Sequence, residues 1–234
     1  MPREVRGARR RSPTWFTVLA LTLTLWSVAA AAIPDFGSGG LRTAARTRSV
    51  NESVAIATLK NLSSAQSQLQ ASGAVDVDGN GQGEYGYFAE LAGAVPLRGE
   101  SHPCDPVLLS KRFGNVQEGR VQTSGYWFQI FLPGEHGDWI AESANGGGGV
   151  GVLASRAESE WLCYAWPVHL GLTGNQAFLM TSQGDVTASN MGGDRYDADS
   201  PPHPGRSGFR KVAGKFVLAI NELDEVGNMW FVRQ

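Results

Sequence analysis

The chain is poor in cysteine, methionine, histidine and charge. Of its 234 residues two are cysteine, four methionine and four histidine, and 18% are charged. It has no G-x-S-x-G, no H-E-x-x-H and no glycine loop running into a lysine to cradle phosphate. Those gaps remove the chemistries that announce themselves by a local motif, so no catalytic role is expected. Basic excess is missing as well: the net charge is −2, and no basic stripe marks a nucleic-acid surface. Two cysteines cannot staple a small disulfide scaffold. In an oxidising compartment Cys104 and Cys163 would most simply form one disulfide. Closing so long a loop adds about 4 kcal/mol on the chain-entropy model. The rival reading is two buried free thiols.

What charge there is lies unevenly. The first twelve residues hold five Arg and one Glu, hence +4; against −2 overall, the remainder carries −6. An apolar segment, Trp15–Ile33, follows and ends at Pro34. Its length is near the roughly 20 residues that cross a bilayer. As an anchor it would hold Trp15, Leu19, Leu23, Trp26 and Ile33 in lipid. The basic flank would stay cytoplasmic and the bulk of the chain outside, a single-pass inner-membrane arrangement facing the periplasm. The alternative is a cleaved signal peptide, with Trp15–Trp26 as its apolar core and Ala29–Ala32 supplying an A-x-A site. The expected organisation is a basic segment 1–12, an anchor or signal 13–33, a joint 34–48 and one exported domain 49–234.

Ser49-Val-Asn-Glu52 has the form of a capping box. Beyond it Ala55, Ile56, Leu59, Leu62 and Leu69 recur at helical spacing, interrupted near Gln66. A helix with one narrow apolar face needs a surface to lie on. From Gly73 onward glycine is frequent and short apolar runs follow: Gly125–Leu132, Glu160–Val168, Ala177–Thr181, Asp185–Ser189, Lys215–Ile220 and Asn228–Arg233. Aromatic and β-branched residues between turn signals read as strands. The expected fold is therefore α+β: a long N-terminal helix, membrane stalk plus amphipathic half, packed through Ile56, Leu59, Leu62 and Leu69 on an antiparallel sheet.

The run Ala29–Gln70 resembles the N-terminal helix of type IV pilins and type II secretion pseudopilins. Ala32-Ile33-Pro34, Asn51-Glu52 and Ala65-Gln66 carry the likeness, with Asp76–Gly93, Tyr164–Val168 and Phe178–Val186 downstream similar to pilin-like envelope proteins. The resemblance implies a pilin-like domain on a stalk, with other pilin-like or secretion proteins as partners. It departs at the processing motif, where Ser12 stands for the glycine and Thr17 for the glutamate. Thr17 cannot supply the charge that glutamate brings to a filament core, so the likeness implies the fold more than a pilus subunit.

Asp76, Asp78, Asn80, Gln82 and Glu84 place oxygens at alternate positions, with Gly81 sixth, as at the start of a calcium loop. Tyr87 stands where the bidentate acid belongs. Ca²⁺ and a plain glycine turn are both open readings. His102, Cys104 and Asp105 are the nearest approach to a thiol nucleophile with its base, and prolines interrupt them. Glu135–Asp138 reads as a hairpin tip, His169 as an edge histidine, and Asp194, Asp197 and Asp199 as a solvated loop. Two functions follow: an envelope-anchored pilin-like structural or interaction protein of a secretion or pilus system, or a secreted periplasmic binding module for a ligand or calcium. The second predicts an exposed aromatic groove.

Overall fold

Every second residue of the Tyr126–Pro133 segment points the same way, and here both sides of the strand are apolar. The computed structural model describes residues 36–213 and 215–233. The chain divides into two units, Met1–Phe36 and Gly37–Gln234, and the second holds all the described strands. These are β1 (Val121–Thr123), β2 (Tyr126–Pro133), β3 (Trp139–Ala141), β4 (Leu162–Pro167), β5 (Ala177–Thr181), β6 (Val186–Ser189), β7 (Phe209–Val212), β8 (Lys215–Leu218) and β9 (Trp230–Arg233). Among the described residues three α-helices accompany them, α1 (Phe36–Ser72), α2 (Phe88–Leu91) and α3 (Ala154–Ala157), with a short 3-10 helix at Lys111–Gly114.

Seven strands form one antiparallel sheet in the order β1-β2-β4-β5-β6-β9, with β3 also paired to β2; β7 and β8 make a separate hairpin. Side chains alternate across the sheet. Tyr126, Phe128, Ile130 and Leu132 of β2 share one core with Cys163 and Ala165 of β4, Phe178 and Met180 of β5, and Leu59, Leu62 and Leu69 of α1. Ile56 packs half-buried at its margin. The intervening residues, among them Phe131, Leu162, Tyr164, Trp166 and Leu179, enter a second core closed by Met191, Tyr196, Phe209 and Trp230.

The expected pilin-like α+β architecture is overturned. The protein is sheet-rich, and its sheet is covered on both faces: by α1 and the irregular stretch 73–118 on one side, and by the C-terminal loops and the β7–β8 hairpin on the other. Among the described residues the one long helix is α1, a largely polar 37-residue element; the expected apolar stalk, 15–33, lies outside the described residues. Of the expected joint 34–48, residues 36–48 are helical: α1 runs from Phe36 through Ser49, whose carbonyl accepts the Ser53 hydroxyl, so no capping box starts a helix there. Glu52 instead accepts the Asn175 N–H at 2.8 Å. With the Arg48–Gly171 and Asn51–Thr173 hydrogen bonds (3.0 and 2.9 Å), it fastens the middle of α1 to the β4–β5 connection. Among the described residues no helix is long and apolar enough to cross a membrane. The expected anchor residues Trp15, Leu19, Leu23, Trp26 and Ile33 lie outside the described residues.

Gln66, which interrupts the apolar stripe, is fully buried. Its amide donates to the Gly86 carbonyl at 2.7 Å and accepts the Gly86 N–H at 2.9 Å. The side chain thus behaves as a piece of strand backbone, satisfying a loop that has no sheet partner. Gly86 needs its lack of a side chain here, since a Cβ would sit 2.6 Å from Leu69.

Candidate ligand-binding cleft

Three buried glutamates organise the irregular stretch 73–118. Glu84 accepts the Val77 N–H at 2.8 Å and pairs with Arg98 at 3.2 Å. Glu90 accepts the backbone N–H groups of Tyr87 and Arg98 (2.7 and 2.9 Å) and the Arg98 guanidinium. Glu142, reaching in from beyond β3, accepts the N–H groups of Ala89, Gly147 and Phe88 at 2.8, 2.9 and 3.2 Å. Burial raises the carboxyl of Glu90 above its ordinary range, and Arg98 opposes that. Burial likewise pushes Glu142 up to about 7.

This arrangement places the residues of the calcium motif. Glu84 is buried, with one oxygen taken by Arg98 and the other by the Val77 N–H. Asp76 accepts the N–H groups of Asn80 and Gly81, each at 3.0 Å, and Asp78 accepts that of Asn80 at 3.2 Å. Asn80 accepts the Gln82 N–H and donates to Glu158. The loop oxygens are thus occupied in holding a glycine turn whose Gly79 and Gly81 have φ of 70° and 86°. Among the described residues no group of three or more His, Cys, Asp or Glu is placed to hold a metal ion.

The expected Cys104–Cys163 disulfide is not formed; both thiols are free and buried. Cys163 sits within β4, paired between Ile130 and Met180. Cys104 donates to the carbonyl of Pro106 in its own loop. Burial raises both thiols, with Asp105 adding to the effect at Cys104. His102 is exposed and lies beside Glu100 at 3.4 Å, so it does not serve Cys104 as a base.

A cleft of about 660 Å³ opens where three elements meet. That size falls within the range of small-molecule sites. One wall is β3 and the turn before it. The Gly134 N–H to Asp138 carbonyl bond (2.8 Å) closes this turn, which carries His136 and leads into Trp139. The second wall is α3 and its exit, where Arg156 lies 6.0 Å from the Trp139 ring centre and pairs with Glu160 through Nε at 3.2 Å and through Nη2. The third is the hairpin, bringing Phe209, Lys215, Phe216 and Leu218. Thr181, Ser182 and Gln183, at the β5–β6 turn, complete the rim.

Trp139 is half-buried and Phe216 is 45% exposed, so two aromatic surfaces remain available to a ligand. Trp161, Trp166 and Trp230 are spent in the cores. The sequence marks Glu135–Asp138 only as a hairpin tip, and the structure makes that tip a rim of the cleft. Trp139, Arg156, Glu160, Lys215 and Phe216 were not singled out by sequence. They come from segments scattered over some eighty residues, and only the Arg156/Glu160 spacing of four hints at a local pair.

No protein-family model matches the chain, and no similar curated protein or solved structure is found for it.

Proposed function

We propose that this protein is an exported, non-catalytic binding module that takes a small organic ligand in the cleft between β3, α3 and the β7–β8 hairpin. The observation that carries this reading is the pair of accessible rings, Trp139 and Phe216, in a concave site of about 660 Å³ otherwise rimmed by polar groups. Apolar walls with a few convergent polar groups are the usual build of a ligand pocket. The absence of catalysis in this reading is supported by the state of the best nucleophile, since Cys104 is buried, raised and without a base. Segment 15–33 then acts as a cleaved signal, and the mature domain works in the periplasm or outside. The reading as an anchored component of a secretion or pilus system leaned on a pilin-like fold and loses that support with it.

A thermal-shift screen of the purified domain against small organic compounds tests the proposal. A ligand present at a hundred times its Kd stabilises by about 2.7 kcal/mol. For a domain of this size that raises Tm by roughly 5–10 °C. The expected outcome is a compound class that shifts the wild type by this amount and Trp139→Ala by far less. Hits that shift both proteins equally would place binding elsewhere and end the assignment to this cleft.

A further inference from the structure

We infer that the cleft selects anionic ligands: a planar apolar ring bearing a carboxylate or comparable acid. This rests on the ligand-binding reading above and names its substrate class. The charges that line the site are unbalanced. Glu160 is its one lining carboxylate, and Arg156 already holds it in an ion pair. Lys215 is exposed at the mouth, and no carboxylate pairs with it among the described residues. The unspent charge of the cleft is therefore positive, in a chain whose body is acidic.

The hydrogen-bonding inventory leans the same way. Trp139 Nε1–H has no hydrogen-bond partner among the described residues and is an obligatory donor. Arg156 and Lys215 are also donors only, and the oxygens of Glu160 are engaged. Thr181, Ser182 and Gln183 on the rim both donate and accept, so the donor-only groups set the bias, and a ligand that matches them brings acceptors and negative charge at one end. At the other it meets aromatic surface from two different elements, Trp139 of β3 and Phe216 of β8. A flat ring covers such surface at low entropic cost. A neutral apolar ligand would leave the donors unanswered, and a cation would meet Lys215.

The test is a pair of probes of equal shape, 2-naphthoate and 2-naphthylmethanol, titrated into the full domain at pH 7.5 by tryptophan fluorescence and calorimetry. The acid should bind at least tenfold more tightly than the alcohol, and its advantage should shrink as salt is raised. Lys215→Gln should weaken the acid about fivefold or more and leave the alcohol unchanged. Its exposed position makes loss of folding an unsuitable explanation, and circular dichroism checks this. Trp139→Ala should weaken both probes. Equal affinity of the two probes, or an equal effect of Lys215→Gln on both, overturns anion selection while the cleft still binds aromatics. Binding of neither probe overturns the anion inference and the ligand-binding reading together.

Discussion

Glu142 shows how much of this protein depends on single buried polar groups. Its carboxylate collects three backbone N–H groups from α2 and the glycine run 146–149, yet burial still pushes it up to about 7. A carboxyl raised above its ordinary 4.5 contributes stability that is complete below that value and lost as pH rises through about 7. The window is therefore pH 4.5 to 7, and the loss is at most on the order of 3 kcal/mol. Urea midpoints measured at pH 5, 6, 7 and 8 should fall across this window in the wild type and fall less in Glu142→Gln. Parallel profiles would mean the carboxyl is not titrating there. Gln66 makes a second case. An apolar residue of similar length, Gln66→Met, would leave the Gly86 N–H and carbonyl buried without partners. That should cost roughly 2–4 kcal/mol in urea denaturation, where an exposed position such as Gln68 would cost under about 0.5 kcal/mol.

At the scale of elements, Asp224 governs the layer that closes the second core. Its Oδ2 accepts the Gly208 N–H and the Trp230 indole N–H, both at 2.7 Å, and its Oδ1 accepts from Val226 and Asn228. Asn228 extends the network to Gly193, Asp194 and Tyr196. Asp224→Ala should destabilise by on the order of 3 kcal/mol, and hydrogen exchange should quicken first in 190–229, with α1 and β2 protected. Uniform acceleration across the chain would show that this layer does not open separately. Six strands are legible in the sequence because β2, β4, β5, β6, β8 and β9 are built from aromatic and β-branched residues between turns. The other three are not: β1 and β3 have only three residues, and the middle of β7 is Arg210-Lys211, so no period emerges. The start of α1 is hidden for a different reason: its first turns hold glycines, which read as a joint, and Ser49 and Glu52 imitate a cap while serving tertiary contacts.

For the whole molecule, the sheet's double burial explains what local patterns conceal. A strand such as Leu162–Pro167, buried at every residue, has no polar face to reveal which side is covered or by what. A helix-on-sheet picture thus accounts for one core and misses the C-terminal layer, and with it the cleft, whose walls meet only once that layer is in place. The same burial decides the chemistry of the cysteines. Cys163 lies at the centre of the sheet and Cys104 at the edge of the same core, each free. Thiol titration with Ellman's reagent, without reductant, therefore reports on the global fold. Two thiols per chain should react in strong urea. In native buffer Cys163 should react only at the rate of global opening, because a thiol held neutral by burial is not a nucleophile until exposed. Cys104, at 8% exposure, should precede it. Leu62→Ala, which removes a fully buried side chain and should cost roughly 2–5 kcal/mol, should raise the Cys163 rate in proportion while leaving the total at two. No reactive thiol in urea would restore the disulfide and refute the free-thiol core; fast native labelling of Cys163 would mean the two-faced sheet opens far more readily than its packing implies.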